Sequence, residues 1–358
     1  MTRQIDLRSE VVTRPTPAMW KAMESAEIGW AQKGQDPNVN HLEQTAAELT
    51  GKEASLFVFT ASLANLLALL VGTNRGDQVI LDADMHLVWI EGWNLASICS
   101  LFPHLVKSDR GALPLDRVEE LLHWWRGPAA SHPTLIGIEN PHNDHGGTIT
   151  PPDHIRALAE LAHANGCRVH MDGARLHNAS VASGHPLIDF TQHVDTVTIS
   201  VSKGLGCPVG ALLCGSAADI ESARTKGLRW LGSSGMHRGG IFAAAALYAF
   251  DNMVDRLADD HRRARAIADG LSDLPGFTVT VPETNLVKVS TVPSGRLAAE
   301  YVRAAEERGL LVALREPHVF KLMTNHEVTD EHVRDAVAIL GEVAHQFAGQ
   351  TPQLSEAG

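Results

Sequence analysis

Ser200-Val201-Ser202-Lys203-Gly204-Leu205-Gly206, with Met171-Asp172-Gly173-Ala174-Arg175 upstream, is the stretch on which the fold reading turns. Each segment follows a short β-branched run, 168–171 and 196–199, that reads as a buried strand. An acid and an amine therefore stand at strand ends, where open α/β sheets place their ligands. The same pattern extends outward. Residues 54–59, 78–81, 134–138 and 209–213 read as further strands. Residues 39–50, an apolar stretch opened by 60–62 and running through Leu70, and the tract opening at Pro152 read as helices. Pro near the first turn of that last helix and Gly166 at its end are the expected punctuation. Residues 88–95 read as a helix start. Strands alternate with helices from about 54 to about 250, which implies a mostly parallel sheet covered on both faces.

Length sets the domain expectation. A chain of 358 residues exceeds what one compact core usually holds. The sequence divides into an N-terminal segment with a large domain over 1–250, a small C-terminal α/β domain over 251–348, and a flexible tail over 349–358. A helical tract over 240–272 bridges the two. Strands at 278–281, 285–289 and 320–323, with helices at 297–308 and 331–347, build the second domain.

Lys and Arg number 30 against 42 Asp and Glu, a formal charge of −12, which argues against a nucleic-acid or anionic-membrane surface. The opening ten residues are polar, so no secretory signal is expected, and runs such as 66–71 and 241–247 are too short to span a bilayer. None of the four cysteines forms a C-x-x-C pair, and the cytoplasm is the expected compartment. No ligand cluster demands a metal.

The pair Asp172 and Lys203 suits pyridoxal 5′-phosphate (PLP): the lysine forms the Schiff base and the aspartate keeps the pyridine nitrogen protonated. A surface lysine and a helix-capping aspartate satisfy the same pattern. Thr60-Ala61-Ser62, between a strand and a helix, offers hydroxyls and free amides to a phosphate, or merely a cap. His86 and His142 each stand at a strand end, as a base, a ring over a planar cofactor, or a capping residue. Arg175 offers a bidentate grip on a carboxylate, or an ordinary salt bridge. No Gly-x-Gly-x-x-Gly follows the first strand, which weakens a nucleotide-binding alternative.

Ordered motifs then carry a resemblance. They are Asp6-Leu7-Arg8-Ser9, Asp36-Pro37-Asn38-Val39-Asn40, Gly51-Lys52-Glu53-Ala54, Glu139-Asn140 with His142-Asn143, His170-Met171-Asp172-Gly173-Ala174-Arg175, and Ser202-Lys203-Gly204-Leu205-Gly206. The chain resembles the L-threonine aldolase and β-eliminating lyase family of fold-type I PLP enzymes, from about residue 5 to about 345.

The resemblance implies a transferase-like fold and retro-aldol cleavage of a β-hydroxy-α-amino acid to glycine and an aldehyde. Lys203 is then the Schiff-base lysine, next to Ser202, and Asp172 the pyridinium partner. His86 stacks on the ring, and His142 lies beside the cofactor or the β-hydroxyl. Thr60, Ala61 and Ser62 hold the phosphate, and Ser9, Arg175 and Lys321 the substrate carboxylate. Family members are homodimers or homotetramers with shared active sites. The chain departs from the family where Ala61 replaces a glycine and Lys321 an arginine. Trp30 and Trp230 point to a bulkier or aromatic substrate. β-Elimination or racemisation by the same fold is the alternative chemistry.

Overall fold

The computed structural model describes residues 4–123, 132–231 and 236–349. The side chain of Trp230 and the expected tail from 350 onward lie outside what is described. The chain divides into two compact units, one formed by residues 14–255 and the other by the segment before Arg14 together with the chain from Arg256.

In chain order the strands are β1 (Ile5–Asp6), β2 (Ala54–Val58), β3 (Gln78–Asp82), β4 (Phe102–Val106), β5 (Pro133–Glu139), β6 (Arg168–Gly173), β7 (Thr196–Ser200) and β8 (Ala211–Gly215). They continue with β9 (Thr278–Val279), β10 (Leu286–Ser290), β11 (Leu310–Leu311), β12 (Ala313–Glu316) and β13 (Val319–Met323). The larger unit holds a seven-stranded sheet in the order β2-β8-β7-β6-β5-β3-β4. β3–β4, β3–β5, β5–β6 and β6–β7 pair in parallel, and β8 runs antiparallel to both of its neighbours. Every residue of β7 and β8 is buried, which is why these strands read as continuous apolar and β-branched runs.

Helix Ala61–Gly72 is apolar on most of its surface because it serves two clusters. Leu66 and Leu69 join Val79, Leu81 and Leu135. Ala64, Leu67 and Ala68 join Leu56, Ala211 and Leu213. Helix Pro37–Thr50 starts on Asp36, whose carboxylate accepts from the Val39 amide at 3.1 Å. The same carboxylate accepts from Gly29 and Gly240. The helix ends at Gly51 in the left-handed region.

The smaller unit has a four-stranded antiparallel sheet, β12-β13-β10-β9, and its own core around Leu271, Tyr301, Phe320 and Leu340. The sequence reading placed residues 1–13 with the large domain. In the structure β1 pairs in parallel with β11, Ile5 opposite Leu310.

Three sequence expectations are corrected. The tract at 240–272 is two helices, Gly239–Asn252 and Leu257–Leu271, because Asn252, Val254 and Asp255 are weak helix formers. The expected helix at 88–95 is one short turn, His86–Trp89, and then a π-helical stretch, Asn94–Ile98. β4 was missed because Pro103 interrupts it; as the edge strand, it tolerates a proline. Among the described residues no helix is long and apolar enough to cross a membrane.

Candidate active site

The parallel strands deliver their C-terminal ends to one edge of the sheet, and the polar residues of the larger unit collect there. β6 ends with Asp172, which is 3 % exposed. Its Oδ1 accepts from the Ala174 amide at 3.0 Å and its Oδ2 from Asn65 Nδ2 at 2.9 Å. Burial acts to raise the pKa of this carboxyl. The Lys203 ammonium, His86, the Ala174 amide and Asn65 outweigh it and keep Asp172 ionised. Lys203, in the turn after β7, is the strongest of these favourable influences. The two residues singled out first from the sequence are thus electrostatic partners.

Gly173 explains why they can be. A side chain there would start 2.7 Å from the Thr198 carbonyl oxygen. Its absence lets β6 and β7, the strands that carry Asp172 and Lys203, pair closely.

His86 begins the turn after β3, a quarter exposed. Its backbone amide donates to Glu139 Oε2 at 2.7 Å, and its Nδ1 lies 2.7 Å from Glu91 Oε1. Burial alone would lower its basicity. The Glu91 hydrogen bond and the charges of Asp172 and Glu139 more than reverse that, so its pKa is raised. His86, Glu91 and Asp172 each present an atom within 4.8 Å of the others.

Asn65 was not anticipated from the sequence. It is fully buried on helix Ala61–Gly72, and its Nδ2 donates both to Asp172 and, at 3.2 Å, to Glu91 Oε1. Its Oδ1 lies 3.2 Å from His170 Nε2, and His170 Nδ1 meets the Thr196 hydroxyl at 2.9 Å. Burial holds His170 down at about 4, so it is neutral and can donate one ring N–H to Asn65. The carboxamide therefore joins His170, Asp172 and the Glu91–His86 pair in one network. A polar residue inside an apolar helix run was the only signal that could have revealed it.

Glu139, at the end of β5, accepts from the amides of His86 and Asn143. Arg175 is 9 % exposed, and its Nη1 donates to Asn143 Oδ1 at 3.4 Å. Thr60 caps helix Ala61–Gly72 by accepting from the Leu63 amide at 3.1 Å. This leaves the first amides of that helix, at Ala61 and Ser62, without intrahelical acceptors. Ser202 is half-buried, with its hydroxyl 3.3 Å from that of Ser200.

The structure brings the ring of His142 to Asp82 and His145. Ser9 and Lys321 belong to the smaller unit. There Ser9 caps a 3-10 turn, and Lys321 is buried in β13 opposite Lys288.

A family model for beta-eliminating lyases matches residues 6–292. The chain belongs to the β-eliminating lyase family. Low-specificity L-threonine aldolase 1 of Arabidopsis thaliana is 36 % identical over 337 residues, 92 % of this chain and 94 % of that protein. Threonine aldolase of Leishmania major has the same fold, with a TM-score of 0.80 at 18 % identity, covering 95 % of this chain and 99 % of that one. A serine palmitoyltransferase from S. paucimobilis, solved with bound PLP, superposes with a TM-score of 0.75 at 17 % identity, over 97 % and 89 % of the two chains. The fold of this β-eliminating lyase family member is therefore the fold-type I α/β architecture expected from the sequence.

Proposed function

We propose that this chain is a PLP-dependent aldolase that cleaves a β-hydroxy-α-amino acid to glycine and an aldehyde. The observation that carries the reading is the buried, ionised Asp172 with the Lys203 ammonium as its principal favourable neighbour. The donor set fits the cofactor. Lys203 supplies the primary amine. Asp172 supplies an acceptor-only carboxylate, whose two oxygens accept from Ala174 and Asn65. The amides of Ala61 and Ser62, with the hydroxyls of Thr60 and Ser62, would hold the phosphate. When bound, PLP withdraws electrons from the bonds to the amino acid's α-carbon.

The protein's own residues do the rest. Arg175, steadied by Asn143, would grip the substrate carboxylate and fix which bond is aligned for cleavage. His86 is the base. Glu91 accepts at Nδ1 and so holds the proton on that nitrogen, leaving Nε2 to take the proton of the β-hydroxyl. Asn65 pins Glu91 in turn. Of the two histidines proposed from the sequence, His86 is the one beside Asp172. Asn143, the neighbour of His142, makes the contact with Arg175.

Borohydride reduction of the purified protein, with a panel of L-threonine, L-phenylserine and L-serine, tests the reading. The expected result is covalently trapped cofactor on Lys203 and release of glycine with aldehyde. Lys203→Ala loses both. A keto acid with ammonia would make the chain a β-eliminating lyase, and optical inversion a racemase. Turnover by Lys203→Ala would refute the assignment. Exposed Trp30, Trp89 and Trp93 support a homo-oligomer, whose apolar contacts would cover them.

A further inference from the structure

Apart from the Asp172 group, the end of β3 and the turn after β5 bring together Asp82, His142 and His145, whose potential ligand atoms all lie within 4.8 Å of one another. Asp82 and His142 are 1 % and 0 % exposed, while His145 is open to solvent at 21 %. The nearest approach, His142 Nε2 to Asp82 Oδ1, is 3.5 Å. That is longer than a typical N–H···O hydrogen bond, about 2.7–3.2 Å. Neither ring nitrogen of His142 nor Asp82 Oδ2 has a hydrogen-bond partner among the described residues. A buried polar atom left so loses its water without gaining a partner, which is destabilising.

The spacing suits a metal better than a proton. Ligands bound at about 2.0–2.1 Å to a tetrahedral ion stand about 3.4 Å apart, close to the observed gap. The two imidazoles meet edge to face, with centroids 4.5 Å apart and planes at 63°. Two imidazoles and a carboxylate are the donor types of zinc-class ions. His145 also lies 3.4 Å from the Ser108 hydroxyl and 3.8 Å from Asp84 Oδ2, which places a further carboxylate near the open side. The turn itself is anchored. The His142 amide donates to the Thr148 carbonyl at 2.9 Å, and the Gly147 amide to the His142 carbonyl at 2.8 Å.

We propose that Asp82, His142 and His145 bind one divalent ion of the zinc or cobalt class, which ties the turn after β5 to the end of β3. The same turn carries Asn143, the partner of Arg175, so the ion would steady that arginine. The site stands on its own geometry, independently of the PLP reading.

Calorimetric titration of zinc(II) into the full chain, as purified and then freed of metal by a chelator, is the test. One ion per chain should bind, and zinc should raise the melting temperature. His145→Ala and Asp82→Asn should each weaken binding by at least about 100-fold and abolish the thermal shift. His145→Ala removes a partly exposed side chain, so its melting temperature without metal should stay near that of the parent. A control change at the exposed His123, His123→Ala, should leave binding intact. Absence of binding overturns the proposal. So does binding that survives His145→Ala and Asp82→Asn unchanged, which would place the ion on surface histidines.

Discussion

Replacing Asn65 with leucine tests whether one carboxamide organises the site. Leucine matches asparagine roughly in size but can neither donate nor accept. The change deletes the 2.9 Å bond to Asp172, the 3.2 Å bond to Glu91 and the 3.2 Å contact with His170. Asp172 keeps the Ala174 amide and Glu91 keeps His86, so neither carboxylate is wholly orphaned. Two bonds to charged acceptors at about 1.5–3 kcal/mol each, plus one neutral contact at about 1 kcal/mol, give a loss of about 4–7 kcal/mol. That is a large share of a typical domain stability of about 5–15 kcal/mol. Urea unfolding followed by circular dichroism at neutral pH should show the loss, and retention of PLP through gel filtration should fall with it. Asn65→Asp should be at least as damaging. A third carboxylate 2.9 Å from Asp172 Oδ2 costs about 6 kcal/mol at an effective dielectric constant of about 20. If Asn65→Leu unfolds within about 1 kcal/mol of the parent and keeps its cofactor, the network does not hold Asp172 and the reasoning fails.

Glu91→Gln keeps a hydrogen bond to His86 but removes its charge. His86 then moves toward the lower basicity that burial alone imposes. The acid limb of the activity profile should shift to lower pH, and kcat should fall about tenfold for about 1–1.5 kcal/mol of lost positioning; an unmoved acid limb would remove His86 from the role of base. Gly173→Ala should open the β6–β7 pairing, since its methyl would meet the Thr198 carbonyl at 2.7 Å. A loss of about 1–3 kcal/mol and weaker PLP retention are expected, and a crystal structure with the strands unshifted would contradict this. His177 is buried, its Nε2 has no hydrogen-bond partner among the described residues, and burial alone holds it at about 4. The unfolded chain therefore takes up that proton first, so His177 costs stability progressively as pH falls from about 6.5 to about 4. His177→Phe, which can still pack on Phe250, should flatten this acid loss by up to about 3 kcal/mol. Identical slopes of unfolding free energy against pH would refute the assignment.

Much of this architecture was readable one strand at a time. The all-buried run Thr196–Ser200 could be recognised because β-branched residues repeat without polar interruption. The residues after it were recognisable because strand ends in α/β sheets are where chemistry collects. The break after Asn252 was harder to see, since weak helix formers only tilt a balance that packing settles. Pro103 hid β4, because nothing local tells an edge strand from a loop.

The primary sequence determined by itself the alternation that makes a parallel sheet and the placing of Asp172 and Lys203 at strand ends. Both follow from local periodicity and from the chemistry of single residue types. Only the tertiary structure decided that Asn65 and Glu91 act with Asp172 and His86, and that the ring of His142 turns to Asp82 and His145. Asn65 reaches Asp172 and Glu91, and Asp82 reaches His142, across tens of residues of chain, and whether such distant polar groups meet inside a core depends on sheet order and helix packing, which no short window of sequence contains.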